Sequence, residues 1–316
     1  MTKRADRAQP HAPSDPVKGA EHGAVPDDGA GFLVRPDPAD PRLTRQVSGI
    51  DHEGNPVTVP VTVERPLTVF LNRREIVTLM TIGDYPVYLA LGYLINQNML
   101  TPTEPIIAVD VDEETESVVV RTARETDFED KLRKKTLTSG CAQGTVFGDV
   151  MECFDRARLP ADAALRTSWL YALLKAINTA PSLYLEAGAI HGCALCQGDR
   201  VLLYMEDVGR HNAVDKIAGY MAVHGLSGSD KIFYTTGRLT SEMVIKTVQM
   251  GIPILVSRSG FTAWGVELSA RAGLTLIGRA KGKRFLALAG SERILFDADP
   301  RHGSDEPAHL GRKGAR

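Results

Sequence analysis

The chain has 316 residues, 43% of them hydrophobic and 24% charged, with a formal net charge of −2. That length accommodates one large or two modest domains with a buried core. The balanced charge provides neither a global basic surface for nucleic acid nor an acidic solvating tail. No apolar run approaches the roughly 18 to 20 residues that span a bilayer, and the polar opening residues 1–16 lack a secretory apolar stretch. A cytoplasmic protein with no membrane partner is therefore expected.

Residues 1–48 are rich in Pro, Asp, Gly and Ala and are expected to form a disordered tail, because they bury too little apolar surface to offset their ordering entropy. A strand-rich N-terminal subdomain is expected over 49–135, an α/β domain over 136–299 and a flexible tail over 300–316. Residues 56–63 alternate apolar and hydroxyl side chains, the period of a half-buried strand. Segments 66–71 and 76–80 flank the polar run Asn-Arg-Arg-Glu and predict a hairpin. Asp84 is placed as the N-cap of a helix through 87–95, with Pro86 in the first turn, where its missing N–H costs least. Residues 117–121 read as a strand, and 167–178 as a helix with Leu170, Leu173, Leu174 and Ile177 on one face. Beyond it, strand candidates 182–186, 200–206, 231–235, 253–257 and 275–278 are interspersed with helix candidates 213–223, 241–250 and 263–272. This rhythm predicts an α/β layer with a largely parallel sheet.

Four cysteines, Cys141, Cys153, Cys193 and Cys196, are too few for a disulfide scaffold of this length. Cys141 lies in Thr-Ser-Gly-Cys-Ala-Gln-Gly-Thr, residues 138–145, which predicts an open or tightly turned loop. The upstream cations Lys131, Arg133, Lys134 and Lys135 would favour its thiolate if the fold brings them near; a solvated charge run is the competing reading. Cys193 and Cys196 form a Cys-x-x-Cys pair beside His191, the local grammar of zinc and dithiol redox sites. Burial as small apolar side chains competes with both.

Two strand-to-helix turns are candidate anion sites. Residues 206–216, Glu-Asp-Val-Gly-Arg-His-Asn-Ala-Val-Asp-Lys, place Arg210 and His211 at a helix start with Asn212 as its cap. Residues 235–242 place Gly237 and Arg238 at another, capped by Thr240 or Ser241, and Arg258 follows a further strand. Open α/β sheets bind ligands at such strand ends, and clustered Arg suits phosphate or pyrophosphate. Neither a P-loop nor a Gly-x-Gly-x-x-Gly pattern occurs at these turns.

Taken in order, the segments 139–141, 206–216, 237–242, 251–259 and 276–285 resemble the FdhD family of formate dehydrogenase accessory sulfurtransferases, over about 64–296. The resemblance implies a cytidine-deaminase-like α/β/α layered domain with a smaller subdomain, and a homodimer. It implies that Cys141 accepts sulfur from a cysteine desulfurase as a persulfide. That sulfur then passes to the molybdenum cofactor carrying two molybdopterin guanine dinucleotides, a bound substrate rather than a resident group, before the cofactor enters formate dehydrogenase. The stretch Phe285, Leu286, Ala287, Leu288, Ala289 and Gly290 falls where the family binds that cofactor, although the residues after the Phe depart from the usual Asn-Val-Tyr-Thr. Gly144 stands where some members carry a second loop cysteine, so a single thiol must suffice. No metal ligand set is implied. Two alternatives remain: a non-catalytic cofactor-binding chaperone, and a zinc deaminase built on His191 and the cysteine pair, which lacks the His-x-Glu carboxylate.

Overall fold

A computed structural model describes residues 36–101, 105–123, 136–138, 141–145 and 147–300; for 136–138, 141–145 and 147–149 the backbone alone is described. The first element described is an antiparallel ribbon of β1 (Thr44–Ile50) and β2 (Pro56–Thr62). β1 begins inside the stretch 1–48 that the sequence assigns to a tail. It lacks apolar alternation, and its backbone is satisfied by pairing with β2 instead.

β3 (Arg65–Leu71) and β4 (Arg74–Thr81) form the expected hairpin about Asn72 and Arg73, with Asn72 in the left-handed region that Asn tolerates (φ 57). Helix α1 (Pro86–Asn96) follows, then β5 (Ile106–Asp112) and β6 (Ser117–Thr122), giving a four-stranded sheet ordered β4-β3-β6-β5. Leu67, Val69, Leu79, Val118 and Val120 alternate onto one face of it and pack against Leu89, Tyr93 and Leu94 of α1. Pro86 opens α1 as predicted, but the cap residue is Tyr85, not Asp84. The Asp84 carboxylate is drawn instead into an ion pair with the buried Lys216.

β7 (Thr136–Thr138) and β8 (Cys141–Thr145) form a small hairpin, with Thr138 opposite Cys141. Cys141, expected on a loop, therefore opens a short strand. Helix α2 (Phe147–Arg156) precedes β9 (Leu165–Arg166) and α3 (Thr167–Thr179), whose buried stripe is Leu170, Leu173, Leu174 and Ile177, as the spacing predicts. At 182–186, where a strand is expected, the chain forms helix α4 (Leu183–Ala187). Ser182 caps it by accepting from the Leu185 N–H at 3.3 Å.

The remaining elements are β10 (His191–Gln197), β11 (Arg200–Asp207), α5 (Arg210–Val223), β12 (Ile232–Thr235), α6 (Ser241–Gln249), β13 (Ile254–Ser257), α7 (Ala263–Ala272), β14 (Thr275–Lys281), β15 (Arg284–Ala289) and β16 (Ile294–Leu295). Six of these strands form one sheet ordered β11-β10-β12-β13-β14-β15. Only β12, β13 and β14 run parallel; the other pairings are antiparallel. The largely parallel sheet predicted from the sequence is thus corrected. Short turns at Gly198 and Gly282, both at positive φ, join β10 to β11 and β14 to β15, and so short a link permits only antiparallel neighbours.

Both faces of this sheet are covered, so the fold is mixed α/β in three layers. Leu195, Phe233, Leu255 and Leu276 face Ile217 of α5, Met243 and Val244 of α6 and Leu268 of α7. Ala194, Tyr234, Val256 and Ile277 face Leu170 and Leu174 of α3. The smaller sheet is joined to this body where α1 crosses α5. A Cβ on Gly92 would lie 1.7 Å from the Asp215 carbonyl oxygen, and one on Gly219 would lie 1.9 Å from that of Tyr88. The two helix backbones touch there because neither carries a side chain. Gly219→Ala is expected to lower stability by about 1–3 kcal/mol, the range for overpacked cores, despite Ala's better helix propensity. Gly49→Ala, with nothing within 4 Å, should shift it by less than about 0.5 kcal/mol; urea unfolding measures both.

Candidate functional site

The ends of β12 and β13 and the start of β10 meet at one rim of the large sheet, where buried hydroxyls hold the turns. Thr235 Oγ1 accepts from the Gly237 N–H at 3.1 Å. Ser257 Oγ donates to the Gly237 carbonyl at 2.6 Å and accepts from the Ser259 N–H at 2.9 Å. Thr236 Oγ1 accepts from the Gly192 N–H at 3.0 Å and lies 3.3 Å from His191 Nδ1. Arg210 lies across Gly237: a Cβ there would sit 3.1 Å from Arg210 Cδ. Arg258 reaches to Tyr184, donating to its hydroxyl at 3.1 Å with the guanidinium 5.0 Å from the ring centroid.

The rim therefore gathers His191, Arg210, His211, Arg238 and Arg258. Burial first, and then the charges of Arg210, His211, Arg238 and Arg258, hold the His191 pKa below its ordinary value. His211 is buried with Nε2 3.1 Å from Glu242 Oε2. Burial pulls its pKa down, and the carboxylate only partly offsets that.

Beside the rim runs an open groove of about 930 Å³. Its cations are Arg258, Arg279, Lys281, Lys283 and Arg284, its aromatic rings are Tyr171, Phe285 and Phe296, and among the described residues no carboxylate lines it. Such a surface suits an anionic group attached to a planar ring system. Of the stretch 285–290, Phe285, Leu286 and Ala287 line this groove, whereas Leu288, Ala289 and Gly290 do not. Gly290 packs against Thr275, whose hydroxyl donates to the Gly290 carbonyl at 3.0 Å. Arg258 alone belongs to both the groove and the rim; Arg210, His211, Gly237 and Arg238 lie at the rim. The sequence reading missed Tyr171, Arg279, Lys281, Lys283, Arg284 and Phe296. The alternating cations of 279–284 were the available signal, whereas Tyr171 and Phe296 arrive from distant elements.

The acidic half of 206–216 faces inward. Lys216 is fully buried, paired with Asp84 and with Asp207 Oδ2 at 2.6 Å, and donates to the Glu206 carbonyl at 3.0 Å. Burial pushes the Asp84 pKa up, with Lys216 only partly offsetting it. For Lys216 burial opposes the charged form, but Asp207 and Asp84 outweigh it and raise the pKa. Asn212 is not the helix cap, which is Gly209; its amide donates to the Met80 carbonyl at 2.7 Å and to Asp207 Oδ1 at 3.0 Å. Thr240 caps α6 by position, without a side-chain hydrogen bond to it.

Cys193 and Cys196 are buried on opposite faces of the sheet, one packed toward α5 and α6 and the other toward α3. Burial pushes the Cys193 thiol up to about 12 and raises that of Cys196 as well. Neither a shared metal nor a dithiol bridge fits that arrangement, and the deaminase reading loses its convergent His191, Cys193 and Cys196. Among the described residues no group of three His, Cys, Asp or Glu is placed to hold a metal ion. Cys153 is half-buried on α2. For Cys141 the backbone position in β8 is described, while its side chain and the cations 131–135 lie outside the described residues.

Comparison with known proteins decides the lineage, because the FdhD/NarQ family model matches residues 62–295. The chain belongs to the FdhD/NarQ family. The match begins at the last residue of β2, so most of the N-terminal ribbon lies outside the FdhD/NarQ region. The sulfur carrier protein FdhD of Bacillus pumilus is 28% identical over 244 residues, 75% of this chain and 91% of that one. Its counterpart in Wolinella succinogenes is 28% identical over 235 residues, 73% and 81% of the two chains. A crystal structure described as that of a formate dehydrogenase accessory protein from Desulfotalea psychrophila is similar with a TM-score of 0.65 at 28% identity, covering 80% of this chain and 99% of that one. No described helix is long and apolar enough to cross a membrane.

Removing the Lys216 ammonium leaves two carboxylates facing each other in the core. Lys216→Met is expected to cost about 3–5 kcal/mol, the range for a broken buried pair, read as a lowered midpoint in chemical denaturation.

Proposed function

We propose that this FdhD/NarQ family member is a cytoplasmic sulfur carrier required for formate dehydrogenase activity, working as a homodimer with Cys141 as the carrying residue. The observation that carries the reading is the family match over 62–295, with relatives that are sulfur carrier proteins. The thiolate of Cys141 attacks the outer sulfur of a persulfide on a cysteine desulfurase. A new S–S bond forms on Cys141, the old one breaks, and the desulfurase thiolate leaves. The outer sulfur then passes to the molybdenum cofactor carrying two guanine dinucleotides, a thiol reductant supplies the two electrons that bring it to the sulfide level, and Cys141 leaves as thiolate. One attacking thiol suffices for both transfers, consistent with Gly144 in place of a second loop cysteine. The family's deaminase-like domain description belongs to this reading too.

The groove supports the substrate assignment. Its lysines and arginines match the diphosphate of a guanine dinucleotide, and Phe285 and Phe296 offer rings for the base. Formate dehydrogenase is the acceptor of the finished cofactor. A chaperone that only binds the cofactor would use the same groove without loading Cys141, so the carrier step is tested directly. Incubated with a cysteine desulfurase and cysteine, the wild-type chain is expected to gain the mass of one sulfur atom, lost again on adding a thiol reductant. Cys141→Ala should gain none, whereas Cys153→Ala should load like wild type. Equal loading of Cys141→Ala and wild type would remove the carrier role from this residue.

A further inference from the structure

The rim holds a histidine that sulfur carriage does not use. His191 opens β10, half-buried, its ring held by the contact from Nδ1 to Thr236 Oγ1 at 3.3 Å. Its Nε2 makes no hydrogen bond to any described residue. The groups around it come from every neighbouring element. Helix α5 contributes Arg210 and His211, the turn after β12 contributes Arg238, and the turn after β13 contributes Arg258. The adjacent strand β11 pairs Asp207 with His191 in register, but that carboxylate is engaged by Lys216, Thr81 and Asn212. Glu206 accepts from the Leu183 and Tyr184 N–H groups and from the Tyr204 hydroxyl, and Glu242 of α6 sits on His211. The acids near the rim are thus committed elsewhere. One guanidinium atom is also unmatched: Arg210 Nε is buried and bonded to no described group.

We propose that His191, with Arg210, Arg238 and Arg258, forms a proton-linked pocket for a doubly charged phosphate-type anion, in which the imidazole takes up a proton as the anion binds. The physical sequence is electrostatic. In the free rim partial burial, and after it the surrounding guanidiniums, disfavour the imidazolium. A bound dianion cancels their field and accepts a hydrogen bond from Nε2, which favours it. By linkage, whatever raises the affinity of His191 for a proton is raised equally by the proton. Anion affinity therefore increases as pH falls, by up to about tenfold per pH unit while one proton is linked. The inference rests on the anionic-substrate part of the reading above and is independent of Cys141.

Sulfate is the probe, because it is a dianion that neither gains nor loses a proton near neutrality, so any linked proton sits on the protein. Its affinity for the full-length Cys141→Ala chain is measured from about pH 5.5 to 8, the range over which histidine titrates. Sulfate is expected to bind about tenfold more tightly at the acid end. His191→Gln, whose amide can still meet Thr236, should bind with little pH dependence. In parallel, the His191 imidazole signal should titrate at higher pH when sulfate is present. Arg238→Ala, at an exposed position, should raise the sulfate-free titration and weaken sulfate binding severalfold. The proposal is overturned if His191→Gln keeps the wild-type slope, which would place the proton on His211 or elsewhere. It is equally overturned if sulfate binds without pH dependence, does not bind, or leaves the His191 titration unmoved. Loss of the slope with normal sulfur loading of wild type would leave the carrier reading standing, and a loading failure with the slope intact would leave this pocket standing.

Discussion

A fully buried lysine ammonium holds the two sheets of this protein in one arrangement. Lys216 on α5 meets Asp84 at the entry to α1 and Asp207 at the end of β11. Taking three charges out of water is costly, and partners on most of the remaining polar atoms offset it, Asp84 Oδ2 being the buried oxygen that no described residue meets. Thr81 donates to Asp207 Oδ2 at 2.5 Å, Asn212 donates to its other oxygen, and Lys216 also bonds the Glu206 carbonyl. One residue earlier on α5, Asp215 accepts from Lys246 of α6 at 2.7 and 2.8 Å and from Asn96 of α1 at 2.7 Å. These two pairs fix the rotation of α5 about its axis, and that rotation places Arg210 and His211 at the rim.

The organisation this imposes explains which parts could be read in advance. Helix α3 was readable because its buried residues recur at helical spacing, and the β3–β4 hairpin because its turn is polar and short. Strand β10 was not readable. It is buried on both faces, so Gly-Cys-Ala-Leu-Cys carries no alternation, and its cysteines suggested a site where they serve as core. Asp84 and Asn212 have the composition of helix caps, but tertiary partners took both side chains. Ser182 kept its capping role and turned an apparent strand into a helix. The rim was foreseeable from strand-end Gly and Arg residues. Of its two histidines, His191 was singled out only through the cysteine pair, and the hydroxyls that orient it have no pattern in one dimension.

The groove shows the same division. Its basic wall is local, because the β14–β15 turn brings Arg279, Lys281, Lys283 and Arg284 together within a few residues. Its aromatic contributions from Tyr171 and Phe296 depend on α3 and the chain after β16 packing beside that hairpin. Position along β15 then decides which members of 285–290 reach the groove: Phe285, Leu286 and Ala287 lie beside the turn and line it, and the rest of the strand runs away from it. In the function proposed above, carriage and binding use different parts of the chain: a short hairpin bearing Cys141 for sulfur, and a basic groove joined by Arg258 to the rim for the anionic substrate.

The most direct measurement of that account is calorimetric binding of GDP, a fragment carrying both the base and the diphosphate, to the full-length protein. The account predicts binding that weakens with added salt and that falls by about tenfold or more when Lys281→Ala and Arg284→Ala are combined, as expected when charge-assisted contacts are lost. Both side chains are exposed, so the fold should be unaffected. GDP binding of wild-type strength in that double variant would contradict the assignment of the groove.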